Sequence, residues 1–520
     1  MPRAHIPSGD PDLSMNDDKK IDWISFYTCI ALILVICVPL AVLPGKGGAV
    51  LESIYKFIAN EFGIVYLLAS VSCIGLLVWL ACSRFGHIRL ASDDAPPEFS
   101  TLNWIAMLFC SGIGAGLLFW CVIEWSYYYS APPFGVTPRT NEAAEWASTY
   151  GIFHWGFTAW AFYCLPSIAI AYPYYVKKIP WLRFSNSCNR FLRGRELGVL
   201  SRFIDFWLMI AIIAGAGSAL AFCTPMISAC LAWLFGLEYG FWLDLVVIGL
   251  SVLIFGTSVW LGLKKGMKTL SDLTLVLGLL LLLYVLFAGP TDFLLRTSLN
   301  SVGLMLQNFV RMNFWTDPFA RSGFVENWTI FYWAWWLSYS PFVGLFVTRI
   351  SRGRSIREVI IGMLVFGTLG CAVFYMVFGN YSMHLELTGQ VPVTEIVTTQ
   401  GGNHAIVAVL EQLPVPWMVI TVFTLVALTL SATTYDAAAQ ALASSLTLRL
   451  KEGEDPARWL RVFWALAIGI LPATLMYVGG IKVVQTGILV ASLPILVICV
   501  VMTVALLKDL HADHPEQPRV

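Results

Sequence analysis

The sequence is poor in charge and holds none of the short signatures that many enzymes carry. Only 12% of its 520 residues are Asp, Glu, Lys or Arg, and the 32 basic and 32 acidic side chains cancel. No field of one sign remains to gather a nucleic acid. HExxH, GxSxG and GxxxxGK[ST] are absent, and the twelve Cys form no CxxC pair. Neither a zinc site, a nucleophile elbow nor a phosphate loop can be argued from such a chain. The first twenty residues, MPRAHIPSGDPDLSMNDDKK, lack the apolar core and cleavage site of a signal peptide and read as a polar cytoplasmic tail. Cys29, Cys73, Cys121 and Cys223 sit in apolar runs, where a thiol acts as a small buried hydrophobe.

What the chain does have is apolar length. It is 58% hydrophobic with a mean hydropathy of +0.74, outside the balance of soluble domains. A spanning helix needs about twenty apolar residues. About twelve candidates follow: 23–43, 62–82, 103–129, 148–176, 203–235, 241–262, 271–289, 328–348, 358–379, 416–446, 459–478 and 483–507. Most Lys and Arg fall in the two tails and the even-numbered loops, and residues 380–415 contain neither. Both termini are therefore expected on the cytoplasmic side. Segment 299–316 is amphipathic and is expected to lie along the interface.

Two stretches depart from an ordinary apolar helix. In SGIGAGLL, Gly112, Gly114 and Gly116 alternate, whereas glycines that pack helices recur every fourth residue. This spacing predicts local unwinding that frees backbone groups for an ion or an anionic ligand, set against a simple close helix crossing. In WTIFYWAWWLSYSPFVGLF, residues 328–346, rings crowd a segment with no charge at all. Phe331, Trp335, Tyr339 and Phe342 fall in one sector, with Pro341 expected to interrupt the helix. Trp155, Trp160 and Tyr163 can form a second wall, and residues 124–129, EWSYYY, contribute a third. Single rings are commonly interfacial belts. Three mid-helix clusters instead suit a quaternary ammonium, which has no N–H to donate and binds aromatic faces at about 2 kcal/mol or more each when desolvated. Among the ionisable residues, Asp205, Asp244 and Asp272 lie near span ends and suit solvated or capping roles; Asp436 lies in or beside a span, and Glu124 and His154 lie deeper.

These motifs make the chain resemble the betaine/carnitine/choline transporter family along nearly its whole length. The carriers of the resemblance are YWAWW at 332–336, RISRGRSIRE at 349–358, HWxxxxWxxY at 154–163 and GIGAG at 112–116. Residues 123–135, 154–163 and 316–336 look most like the family's carnitine/γ-butyrobetaine antiporters. GIGAG and SPFVGLF look more like its sodium-coupled betaine symporters. The resemblance implies an all-α membrane protein with a leucine-transporter-like core of two inverted five-helix repeats, 103–289 and 328–507. Two peripheral helices (23–102) precede it, residues 290–327 form an outer loop with an interfacial helix, and 1–22 and 508–520 are tails. It also implies a homotrimer in the bacterial inner membrane, in contact with lipid.

Carried over by position, the family's aromatic box falls on Trp155, Trp160, Tyr163 and Trp336, with Tyr127, Phe331, Trp335 and Tyr339 beside it. No organic cofactor is implied; sodium is the candidate ion. The antiporters' substitute arginine aligns with Thr274, so that replacement for sodium is lacking. A sodium position of the symporters aligns with Ile113, through its carbonyl, and with Thr433 and Thr434, and Leu430 stands at its aromatic partner. The expected function is secondary transport of a trimethylammonium compound (carnitine, γ-butyrobetaine, glycine betaine or choline) by exchange. Sodium-coupled symport is the alternative, and a non-transporting receptor is the alternative of another class. An enzyme is not expected.

Overall fold

The structure, a computed structural model, describes residues 21–42, 44–91, 96–114, 116–179, 182–192, 198–261, 268–448, 450, 454–470, 474 and 481–515. Expected tail residues 1–20 and 516–520 and most of 471–480 lie outside the described residues. The described chain is helical. The principal elements are α1 Trp23–Val42, α2 Pro44–Cys82, α3 Thr101–Ile113, α4 Gly116–Ser130, α5 Asn141–His154, α6 Phe157–Ala171, α7 Val199–Phe235, α8 Phe241–Leu261 and α9 Lys268–Ala288. They continue as α10 Thr291–Phe314, α11 Ile330–Ile350, α12 Ile356–Leu387, α13 Val393–Thr399, α14 Gly402–Leu410, α15 Pro416–Leu446, α16 Arg458–Ile468 and α17 Ile481–Asp513.

Eight described helices are long and apolar enough to cross a membrane. The remaining expected spans are accounted for differently. The first, α1, keeps a shorter apolar stretch, Trp23–Val35, and the eleventh, α16, runs toward residues outside the described set. Two others are broken: 103–129 is α3 plus α4, and 148–176 is α5 plus α6, closed by a wide turn at Tyr172–Val176. The second span starts earlier than its apolar stretch, since α2 is 39 residues long. The segment expected along the interface is the amphipathic α10, which packs on α5.

The packing of the ten-span core is reciprocal. The α3–α4 span packs on α15 as α11 packs on α7; α6 packs on α11 as the wide turns of α12 pack on α3 and α4. The last helix of each set, α9 or α17, packs on the first helix of its own set and the third of the other. Two sets of five, α3–α9 and α11–α17, are thus intertwined. Five crossings separate their starts, so equivalent helices run in opposite directions. The most extensive packing between two described helices joins α6 and α11, where a Cβ on Gly344 would come within 2.9 Å of Ile170. Across it Thr348 Oγ1 donates to the Ser167 carbonyl at 3.3 Å.

Pro341 does not interrupt the aromatic helix: α11 runs through it to Ile350. Proline removes the hydrogen bond to the carbonyl four residues back, here Leu337, and Ser340 Oγ donates to that oxygen at 2.9 Å. Asp205 is not solvated either. It is buried in an ion pair with Arg183 Nε at 3.0 Å and accepts from Ser185 N and Oγ at 2.9 and 2.8 Å. Arg183 also donates to Asp22 at 3.2 Å. Of the other carboxylates placed in or near spans, Asp272 pairs with Lys268 at 3.1 Å, whereas Asp244 is buried near the start of α8 and Asp436 is buried within α15, accepting from Ser258 Oγ at 2.5 Å.

Candidate functional site

The site is built where two broken spans meet α11. Between α3 and α4 the backbone turns at Gly114, φ +63° and ψ −175°, a conformation that glycine adopts without the Cβ penalty of other residues. A Cβ there would lie 2.5 Å from Thr434 Oγ1, so α15 crosses directly against the turn. The second break follows His154: Trp155 caps α5, and α6 restarts at Phe157. This break was not legible in the sequence, because HWGF reads as continuous apolar helix.

Trp155 and Trp336 are both buried and approach at 4.7 Å between ring centres, edge to face at 71°. Trp335 stacks on Trp336 at 5.2 Å and 6°, and Tyr163 meets the far side of Trp336 at 6.0 Å. Trp160 joins through Tyr163 at 5.6 Å. Its indole is held between glycines of two helices: a Cβ on Gly112 would lie 2.9 Å away and one on Gly367 2.2 Å. Gly116 faces Trp335 and Trp155, whose atoms would stand 3.5 and 3.8 Å from its Cβ. Phe331 and Tyr339 extend the wall along α11, at 5.5 and 6.2 Å from Trp335. Tyr127 stands apart from this group, packed on Trp328 at 5.1 Å and Trp120 at 6.2 Å.

The orientation of the rings is set by a buried carboxyl group that spacing alone did not single out as their anchor. Glu124 Oε2 accepts from Trp155 Nε1 at 3.1 Å, from the Tyr332 hydroxyl at 2.6 Å and from the Tyr375 hydroxyl. Glu124 Oε1 accepts from the Tyr128 hydroxyl at 2.5 Å. That hydroxyl also lies 2.9 Å from His154 Nδ1, and His154 Nε2 lies 3.1 Å from Thr329 Oγ1. Trp336 Nε1 donates to the His154 carbonyl at 2.9 Å. Both indoles of the edge-to-face pair are therefore locked by one end of α5 and one residue of α4. Glu124 and Tyr332 carry a sequence signal in EWSYYY and YWAWW. Tyr375 has none, since it begins a wide turn, Tyr375–Gly379, whose register the pattern cannot reveal.

The hydroxyl pair also lies at the first break. Thr433 Oγ1 donates to the Leu430 carbonyl at 2.9 Å and lies 3.3 Å from that of Cys110, and Thr434 Oγ1 donates to Leu430 at 3.0 Å. Among the described residues nothing donates to either hydroxyl oxygen, and such oxygens are the ligands a hard cation takes. Ile113 is the last residue of α3. Thr274 is buried on α9 and donates to the Leu270 carbonyl at 2.8 Å. Among the described residues no group of three or more His, Cys, Asp or Glu side chains could hold a metal ion.

Residues 24–515 match the family model described as BCCT, betaine/carnitine/choline family transporter. The chain belongs to the betaine/carnitine/choline transporter family. A relative from Escherichia coli K12, named Uncharacterized transporter YeaV, is 37% identical over 445 residues, covering 85% of this chain and 92% of that protein. A carnitine transporter from Acinetobacter baumannii is 32% identical over 506 residues, covering 97% and 92%. A substrate-bound outward-open sodium-coupled sialic acid symporter is 12% identical with a TM-score of 0.41, over 88% of this chain and 82% of the other. This member of the family is thus a multi-pass membrane transporter and not an enzyme.

Proposed function

We propose that this transporter carries a trimethylammonium compound such as carnitine, γ-butyrobetaine, glycine betaine or choline, by exchange through alternating access across a bacterial inner membrane. The observation that carries the reading is the buried edge-to-face pair Trp155–Trp336, flanked by Trp335, Trp160 and Tyr163. Indole faces present negative charge to a cation that cannot hydrogen-bond, and their N–H groups are already committed at Trp155 and Trp336. The pair therefore recognises the head group through its faces. The name of the Acinetobacter baumannii relative supports the substrate class.

The architecture supports alternating access. The site lies between helices of both five-helix sets, so rocking one set against the other opens it to either side in turn. Sodium-coupled symport is a second reading, favoured by the hydroxyl oxygens of Thr433 and Thr434 beside the Gly114 turn. A cation there drives transport only by binding one state more tightly than the other.

The test is a fluorescence titration with carnitine and uptake into proteoliposomes, using Trp155→Leu and Trp336→Leu. At about 2 kcal/mol per desolvated ring, each variant is expected to bind roughly thirty-fold more weakly. Unchanged affinity in both would remove the aromatic cage, and binding without uptake in the wild type would leave a receptor.

A further inference from the structure

Three tyrosines in or beside the cage have their rings fixed and, among the described residues, their hydroxyls unpaired. Tyr163, Tyr339 and Tyr435 are each no more than 1% exposed, yet none of the three hydroxyls has a hydrogen-bond partner among the described residues. Their rings are well held. Tyr163 packs between Trp160 and Trp336 at 5.6 and 6.0 Å. Tyr339 lies on Phe342 at 4.7 Å and against Gly215 of α7, whose Cβ would come within 3.0 Å of the ring. Tyr435 stacks on Phe255 at 4.7 Å and 22°. The three come from helices packed together: the Tyr163 and Tyr339 rings of α6 and α11 are 6.4 Å apart, and α15, which carries Tyr435, packs on both α11 and α7.

A buried hydroxyl without a partner destabilises a fold, and chains seldom tolerate several together. Most other buried phenols of the described residues are paired, as at Tyr66 with Ser492 at 2.7 Å and Tyr128 with Glu124 at 2.5 Å; Tyr150 is an exception, and it stands alone beside Phe134 and Phe324 rather than in a group of three. We propose that the hydroxyls of Tyr163, Tyr339 and Tyr435 form the subsite that receives the carboxylate of a zwitterionic substrate whose trimethylammonium lies in the cage. This rests on the reading of the cage given above and adds which end of the ligand the chain discriminates. A carboxylate offers lone pairs for three O–H donors, and hydrogen bonds to a charged acceptor are the strong ones. Neutral donors suit a ligand that brings its own countercharge, since a fixed Lys or Arg would repel the ammonium beside it.

Tyr435→Phe and Tyr339→Phe keep each ring and delete only its hydroxyl. Binding of carnitine and of tetramethylammonium is measured by competition against a fluorescence signal, together with the melting temperature of the ligand-free protein. Each variant is expected to lose about ten-fold in affinity for carnitine. Tetramethylammonium affinity in Tyr435→Phe is expected to stay within two-fold, and the ligand-free protein to melt no lower than wild type. Equal losses for both ligands, no loss for carnitine, or a lower melting temperature would overturn the proposal, the last because the hydroxyl would then have a structural partner. A wild type that binds neither ligand would instead refute the cage reading, and the subsite with it.

Discussion

Glu124 separates two explanations for an aromatic site, rings that merely fill space and rings that are aimed. Glu124→Leu leaves Trp155 Nε1 and the hydroxyls of Tyr332 and Tyr375 without their acceptor. Tyr128 can still turn to His154 Nδ1, 2.9 Å away. At about 1–3 kcal/mol for each buried donor left unpaired, the three lost acceptors sum to roughly 3–9 kcal/mol, a large part of ordinary domain stability. Glu124→Gln behaves differently. Its amide oxygen can occupy the Oε2 position and keep the same three donors, while its NH2 meets the Tyr128 oxygen. The acceptor geometry at the Oε2 position is thereby kept. Thermal melts in detergent and tryptophan-fluorescence titrations with carnitine are the assays. Expected are a near-wild-type melt and affinity within about three-fold for Gln, against a large fall in both for Leu. A Leu variant with wild-type melting and affinity would refute the anchoring role. A Gln variant as damaged as Leu would refute the acceptor-geometry reasoning, because charge alone would then matter.

Gly367→Ala places a methyl 2.2 Å from the Trp160 indole. Overpacking of this kind costs about 1–3 kcal/mol, so carnitine affinity should fall at least several-fold, and wild-type affinity would show that Trp160 is not part of the cage. Gly114→Leu combines a positive φ with a Cβ 2.5 Å from Thr434; uptake should be abolished, and normal uptake would mean that the turn is replaceable. For coupling, substrate affinity is measured against sodium concentration in the wild type and in Thr433→Ala/Thr434→Ala. Sodium stimulation lost in the double variant would locate an ion there, whereas a wild type indifferent to sodium would leave exchange as the reading.

Much of this architecture is legible from periodicity, because every backbone group in lipid must be paired within the chain and apolar length then reports spans. The alternate glycines at 112–116 point to the Gly114 turn for the same local reason. The α5–α6 break is different: Trp155 and Gly156 leave helix geometry in a segment whose pattern stays apolar throughout. Pro341 misleads because the repair lies in a neighbouring serine. Glu124, Tyr332 and Tyr375 form one cluster only after three spans are packed, and no spacing rule joins residues 124, 332 and 375. The glycines that admit Trp160 were half visible, Gly112 in its run and Gly367 only once α12 is laid against α6.

The carboxyl at the centre of the site also imposes an order on biosynthesis. Glu124 emerges from the ribosome 251 residues before Tyr375 and 208 before Tyr332. At about 5–20 residues per second, the interval is on the order of ten to fifty seconds, during which an acidic side chain on an apolar span lacks two of its four final partners. Only Tyr128, one turn away on the same helix, is present from the start, and Trp155 follows 31 residues later. The first set of helices can therefore be threaded with its acid half satisfied, but it cannot close around that acid until the eighth and ninth spans arrive. Assembly of the substrate site is accordingly a late event of synthesis, and a chain truncated before α12 would hold the cage rings without the Tyr375 hydroxyl on Glu124 and without Gly367 against Trp160.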